Sequence, residues 1–161
     1  MSTTINGGLA IGSLDGSIRL YKQVGQNAKT LLPGLGDPIK GIEMSVDSKL
    51  ILATTQTYIL LLTTECKGDK NGFEVSMGKE KPDPIKLQLH VKDLAKYKIN
   101  SVNFTKAHFN NFNVSSKEHT SIVTTTGPYV ITWNLRRILR RLRNQYTITK
   151  LDDKSTKLVE S

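Results

Sequence analysis

The stretch Gly8-Leu-Ala-Ile-Gly-Ser-Leu-Asp-Gly-Ser-Ile-Arg-Leu-Tyr21, GLAIGSLDGSIRLY, decides the fold. Apolar residues flank Leu14-Asp-Gly-Ser17, a run of turn formers, so the stretch reads as two short strands around a tight turn. A hairpin this apolar is not stable alone in water; its faces and edges need neighbours. It starts close behind Met1, with little chain ahead of it to supply a preceding strand.

The pattern returns twice. Leu-Ala-Ile11-Gly-Ser aligns with Leu-Ile-Leu52-Ala-Thr and with Ser-Ile-Val123-Thr-Thr. In each copy an apolar residue follows seven positions later (Ile18, Ile59, Val130) and a bulky one after ten (Tyr21, Leu62, Trp133). The first two copies lie 41 residues apart and the next two 71, one period plus an insertion of about thirty residues. A period near 40 built of strand–turn–strand units points to propeller blades of the WD40 type. A single four-stranded blade cannot cover both of its faces, and stacked blades cover one another.

The expected fold is all-β: a partial WD40-like β-propeller of about three four-stranded antiparallel blades with one short C-terminal helix. Strands are expected at 7–12, 18–23, 28–32, 39–46, 50–55, 58–63, 85–90, 99–104, 120–125, 129–134 and 145–150, with a helix at 135–143. The turn-rich Leu32-Pro-Gly-Leu-Gly-Asp-Pro38 separates the first two blades, and 64–84 and 105–118 read as loops. Residues 1–150 would form the partial propeller, with blades at about 5–33, 39–90 and 99–150, and 151–161 a flexible tail. The first blade has three strands on this reading. Closed propellers use four to eight blades. The chain therefore reads as an arc whose missing strand and flanking blades belong to a longer chain, come from a partner or do not exist, and whose open sheet edges invite self-association.

Composition narrows the class. Apolar content is that of an ordinary globular chain, and the longest apolar run, Tyr58-Ile-Leu-Leu-Leu62, is too short to span a bilayer. MSTTINGG lacks a basic region followed by an apolar one, so no secretory signal is visible. Without export, Asn103-Phe-Thr and Asn113-Val-Ser are accidental matches to the glycosylation pattern. One cysteine, Cys66, cannot form an internal disulfide and fits a reducing compartment. The net charge is +9, and five arginines between Arg136 and Arg143 supply more than half of it.

Several blocks carry a family likeness: Ile18-Arg-Leu-Tyr21, Ala28-Lys-Thr30, Leu32-Pro-Gly-Leu-Gly-Asp-Pro-Ile39 with Gly41-Ile42, Ile51-Leu-Ala-Thr-Thr55 with Thr57-Tyr58, and Thr124-Thr-Thr-Gly-Pro-Tyr-Val130 with Thr132-Trp-Asn134. Over about residues 4–150 the chain resembles the C-terminal propeller of the vacuolar import and degradation protein 27 family and the related plant "defective embryo and meristems" proteins. The resemblance implies a WD40-like, non-enzymatic, intracellular module with no catalytic residues to carry over. It also implies a longer parent, with an N-terminal region that includes a PH-like domain, followed by upstream blades. The arginines after Leu135 depart from the family pattern.

Little in the residues points to chemistry. Gly72-Phe-Glu-Val-Ser-Met-Gly-Lys-Glu80 fails as a phosphate loop: its glycines are one residue too far apart, and Glu80 stands where a hydroxyl should hold magnesium. His90, His108 and His119 share no ligand spacing with Cys66, and no metal or cofactor is expected. Cys66 beside Lys67 reads as a strand-end thiol. Asp15 and Asp37 read as caps of their own turns, and no Ser/His/Asp arrangement is recognisable. Trp133, at a position where WD40 repeats carry Trp-Asp, reads as core, followed by Asn134.

One segment exceeds a structural reading. In Leu135-Arg-Arg-Ile-Leu-Arg-Arg-Leu-Arg143, Leu135, Ile138, Leu139 and Leu142 fall on one face of a helix that Asn134 can cap. Arg136, Arg137, Arg140, Arg141 and Arg143 fall on the other and are the candidate partner-binding residues, because guanidinium forks suit carboxylates and phosphates. No aromatics interleave them for base stacking, which favours protein or lipid over sequence-specific DNA; the partner expected first is an acidic protein, ahead of an anionic membrane or nucleic acid. The expected function is a non-enzymatic interaction scaffold for protein partners in the cytoplasm, with the nucleus as a second location, and the resemblance implies a link to vacuolar import and degradation or intracellular trafficking. The alternative is anionic-surface binding, to membrane or nucleic acid, through the arginine-rich helix 135–143.

Overall fold

Twelve strands and two short helices follow one another in the computed structural model, which describes residues 2–3, 8–23, 25, 27–32, 35–45, 49–64, 84–110, 121–140 and 146–151. The first sheet takes β1 (Ser2–Thr3), β2 (Leu9–Gly12), β3 (Ile18–Tyr21) and β4 (Thr30–Leu32) in chain order. The second takes β5 (Gly41–Met44), β6 (Leu50–Thr54), β7 (Ile59–Thr63) and β8 (Ile85–Leu87). Helix α1 (Val91–Lys96) leads to the third, β9 (His108–Asn110), β10 (Ser121–Thr126), β11 (Tyr129–Asn134) and β12 (Tyr146–Lys150), with α2 (Leu135–Leu139) after β11. All pairings are antiparallel between chain neighbours. The first strands of successive sheets meet, β1 against β5 and β5 against β9. The sheets therefore fan out from a common line as three blades of a propeller.

The middle blade is covered on both faces. Ala10, Ile18, Leu20 and Leu32 of the first sheet pack on Ile42, Ile51, Ala53, Leu60 and Leu62 of the second. On the opposite face Leu52, Ile59, Leu61, Ile85 and Leu87 pack on Phe109, Ile122, Ile131 and Trp133 of the third. This explains the contrast in the sequence. Leu50-Ile-Leu-Ala-Thr54 and Ile59-Leu-Leu-Leu-Thr63 are almost continuously buried, while the outer sheets alternate. The far face of the first sheet carries Ile11, Arg19 and Leu31 in register, and that of the third carries Val123, Thr132 and Thr147.

The structure corrects the sequence reading at four places. The first blade has four strands, because Ser2 and Thr3 pair with Ala10 and Leu9. The copy alignment slips by one residue in the first blade. Gly12 pairs with Ile18 and leaves a longer turn than those between Thr54 and Ile59 or Thr125 and Val130. Ala10, not Ile11, is thus the counterpart of Leu52, and Ile11 points to the other face. Residues 99–104 are not a strand; the third blade opens with His108–Asn110, inside the expected loop. The short helix α1 was not expected between the second and third blades. The phosphate-loop candidate, Cys66 and His119 lie outside the described residues.

Candidate interaction surfaces

The turns between the second and third strands of each blade meet the linkers between blades on one side of the arc. The turn between β2 and β3 is closed by Ser13 N–H to the Ser17 carbonyl at 2.9 Å, and Asp15 accepts from the Ser17 amide (2.9 Å) and hydroxyl (2.6 Å). Asp15 therefore caps its own turn as expected, and the Ser17 hydroxyl, first among the causes, holds its carboxyl below the usual range. Gly16 has φ +88°, and a Cβ there would sit 2.9 Å from the Asp37 carbonyl oxygen. The linker before β5 thus presses on the first turn, where Ile39 N–H also donates to the Ser13 carbonyl at 3.0 Å.

Asp37 does something the sequence did not announce. Its carboxylate accepts from the Tyr58 hydroxyl at 2.6 Å, tying the linker to the turn between β6 and β7. Burial first, and then Asp37, push the Tyr58 phenol up to about 12. The sequence reading of Asp37 as a cap of its own turn did not foresee this bridge to the next blade.

The second joint repeats the device. Glu43 on β5 accepts from the Phe109 amide on β9 at 2.7 Å and meets His108 Nδ1 at 2.9 Å. The Ala107 amide donates to Thr54 Oγ1 at 2.9 Å, and the Phe104 amide to the Gln56 carbonyl at 2.9 Å. Tyr146 on β12 donates to Asp93 of α1, accepts from the His90 amide at 2.9 Å and stacks on the His90 ring. Burial, with Asp93, pushes the Tyr146 phenol up to about 12. The carboxylates of Asp37, Glu43 and Asp93 are thus all bridges between segments, and no metal-binding cluster occurs among the described residues.

Helix α2 lies at the opposite end of the strands, because it follows Asn134, which pairs with Ser121 far from the turn at Gly127. The Asn134 side chain caps it, accepting from the Arg137 amide at 3.2 Å. Leu135 and Ile138 are buried, while Leu139 is 48% exposed, so the apolar face is narrower than the spacing implies. Arg136, Arg137 and Arg140 are exposed; Arg141, Leu142 and Arg143 lie outside the described residues. No helix among the described residues is long and apolar enough to cross a membrane.

Comparison with known proteins agrees with this architecture. Residues 1–157 match the family model described as the VID27 C-terminal WD40-like domain. Vacuolar import and degradation protein 27 of Schizosaccharomyces pombe is 40% identical over 159 residues, covering 94% of this chain and 20% of that protein. The Saccharomyces cerevisiae protein of the same name is 38% identical over 149 residues, covering 88% and 19%. The chain thus spans about a fifth of the length of these relatives. Among solved structures, the β-propeller domain of Myceliophteria thermophila Cps50 (Swd1) superposes with a TM-score of 0.61 at 11% identity, over 99% of this chain and 40% of that one. That likeness concerns the fold alone. Three sheets fanned about their first strands, in a chain matched end to end by the family model, place this protein in the VID27 family as a bearer of its C-terminal WD40-like domain.

Proposed function

We propose that the chain is a non-enzymatic interaction module, a rigid piece of propeller that presents its turn side and its helix side to protein partners. The observation that carries this reading is the use of the described carboxylates. Asp37, Glu43 and Asp93 each bridge segments and leave no convergent acid, base or nucleophile among the described residues, whereas turns and linkers are pinned into a fixed surface. The relatives are named for vacuolar import and degradation, and on that ground the chain is assigned to a step of that process, in the cytoplasm. The test is direct binding. Proteins captured by the tagged chain from a cell extract are purified and titrated against it by calorimetry. A saturable complex of defined stoichiometry is expected; the absence of any direct binder overturns the reading.

A second reading has one observation in its favour. Arg136, Arg137 and Arg140 are exposed on a capped helix whose Leu135 and Ile138 anchor it to the third blade. Such a surface suits an acidic protein, an anionic membrane or nucleic acid. Cosedimentation with phosphatidylserine vesicles at two salt concentrations separates the two readings. Salt-sensitive binding lost in R136E/R137E/R140E supports the second, and no sedimentation of the wild-type chain rejects it for membranes.

A further inference from the structure

On the turn side, between the second and third blades, lies an open groove of about 460 Å³. Its lining includes Gln56 from the turn between β6 and β7, Val91 and Leu94 of α1, and Ile99, Asn100 and Val102 of the linker to β9. The volume is in the range of ligand sites, but the mouth is open, which suits a chain segment better than an enclosed small molecule. No residue of helix α1 is fully buried; Leu94 is half-buried and packs on the core between the second and third blades, as do Ile99 and Val102. Val91 and Leu94, three apart on one face, point into the groove, and Val91 is 80% exposed. The helix is nevertheless held in place, because Tyr146 binds both Asp93 and the His90 amide.

The lining itself carries no charged side chain. Along the segment that supplies most of it, residues 84–110, the charge is one-sided: five lysines and a single carboxylate, Asp93, which Tyr146 already engages. Lys92 and Lys98 are exposed and adjoin the lining residues Val91 and Ile99 in the chain. Lys98 has φ +55°, the left-handed region, directly after the helix C-cap Tyr97. Glycine normally occupies this position. A lysine kept there at a conformational cost is a local departure from the best sequence for folding, and such departures gather at functional positions.

We propose that this groove docks an acidic peptide segment of a protein partner, with an apolar side chain of that segment seated on Val91, Leu94 and Ile99 and its carboxylates facing Lys92 and Lys98. The assignment rests on the reading of the chain as an interaction module and names the site and the partner's chemistry. The probe is a fluorescein-labelled synthetic peptide of glutamates and aspartates interrupted by leucines, followed by anisotropy with the 161-residue chain. Saturable, salt-sensitive binding is expected, about 10-fold weaker for V91D, for K98G and for the peptide with serines in place of leucines. K98G is the discriminating variant: it relieves the left-handed backbone, so its urea midpoint holds or rises while its affinity falls. K22Q/K29Q, exposed between β3 and β4 of the first blade and outside the groove, binds like the wild type. The absence of saturable binding overturns the proposal, as does binding that V91D and K98G leave intact or that K22Q/K29Q abolishes. Failure of the peptide while a purified direct binder persists overturns the groove alone; loss of both overturns the module reading as well.

Discussion

Glu43 on β5 accepts a hydrogen bond from the backbone amide of Phe109 on β9 at 2.7 Å, so a charged side chain of the second blade holds the first strand of the third. The same carboxylate meets His108 Nδ1 at 2.9 Å. A bond to a charged acceptor contributes about 1.5–3 kcal/mol. Glu43→Ala is expected to lower unfolding stability by about 2 kcal/mol in urea titrations, and Glu43→Gln by less, since it keeps an acceptor oxygen. An unshifted midpoint for Glu43→Ala would contradict the role given to this contact.

The first joint depends on close approach at a turn. Gly16→Ala meets both an unfavourable left-handed backbone and the Asp37 carbonyl oxygen 2.9 Å from the new Cβ. Gly25 has φ +87° with nothing within 4 Å, so Gly25→Ala meets only the first cost. The expected losses are about 1 kcal/mol for Gly25→Ala and 1–3 kcal/mol more for Gly16→Ala. Equal losses in thermal denaturation would mean that the linker does not press on the turn.

Tyrosine bridges predict an alkaline limb. The Tyr58 and Tyr146 phenols stand at about 12 in the folded chain against an ordinary value of 10. A raised value favours the protonated form in the native state, so the stabilisation is complete below pH 10 and disappears as pH rises through about 12. Stability should fall across that window, and Tyr58→Phe/Tyr146→Phe should flatten the fall while lowering stability at neutral pH. The pH dependence of the urea midpoint checks this, and an equally steep limb in the double variant would refute it.

Trp133 is fully buried between Phe104 and Tyr146, yet its Nε1 has no hydrogen-bond partner among the described residues. Its value therefore lies in packing, and its N–H subtracts from it. Trp133→Phe is expected to cost under about 1.5 kcal/mol and Trp133→Ala about 3–5 kcal/mol. A Phe variant as unstable as the Ala variant would indicate that the N–H is bonded.

Where burial imposes a pattern, the sequence was readable. The paired hairpins, the doubly covered middle blade and the Asn134 cap with Leu135 and Ile138 beneath it all follow from apolar spacing and turn chemistry. The misses share a cause. β1 is two residues long and β9 three, too short to show a period. Helix α1 has no fully buried residue, only the half-buried Leu94 on the core, and its N-cap, His90, makes no side-chain cap, so both helix signals are weak. Val102 and Phe104 alternate like a strand, with Ile99 ahead of them. The chain there instead donates crosswise, from Asn103 to Thr126, from Phe104 to Gln56 and from Thr105 to Thr125, pinning two blades rather than forming a ladder. The bridges from Asp37 to Tyr58 and from Glu43 to Phe109 join residues 21 and 66 positions apart, and no local rule pairs them. The arginines of α2 were visible as a cluster, but the groove at α1, assembled from three separate segments, was not.

Native-state hydrogen exchange on the 161-residue chain is the most direct test of a middle blade sandwiched between two others. The amides of Leu52, Ala53, Leu60 and Leu61 should open only with global unfolding, and those of β4 and β12 at lower free energy. Uniform protection across the three sheets, or faster exchange in β6 and β7 than in the outer strands, would contradict the stacked-blade arrangement.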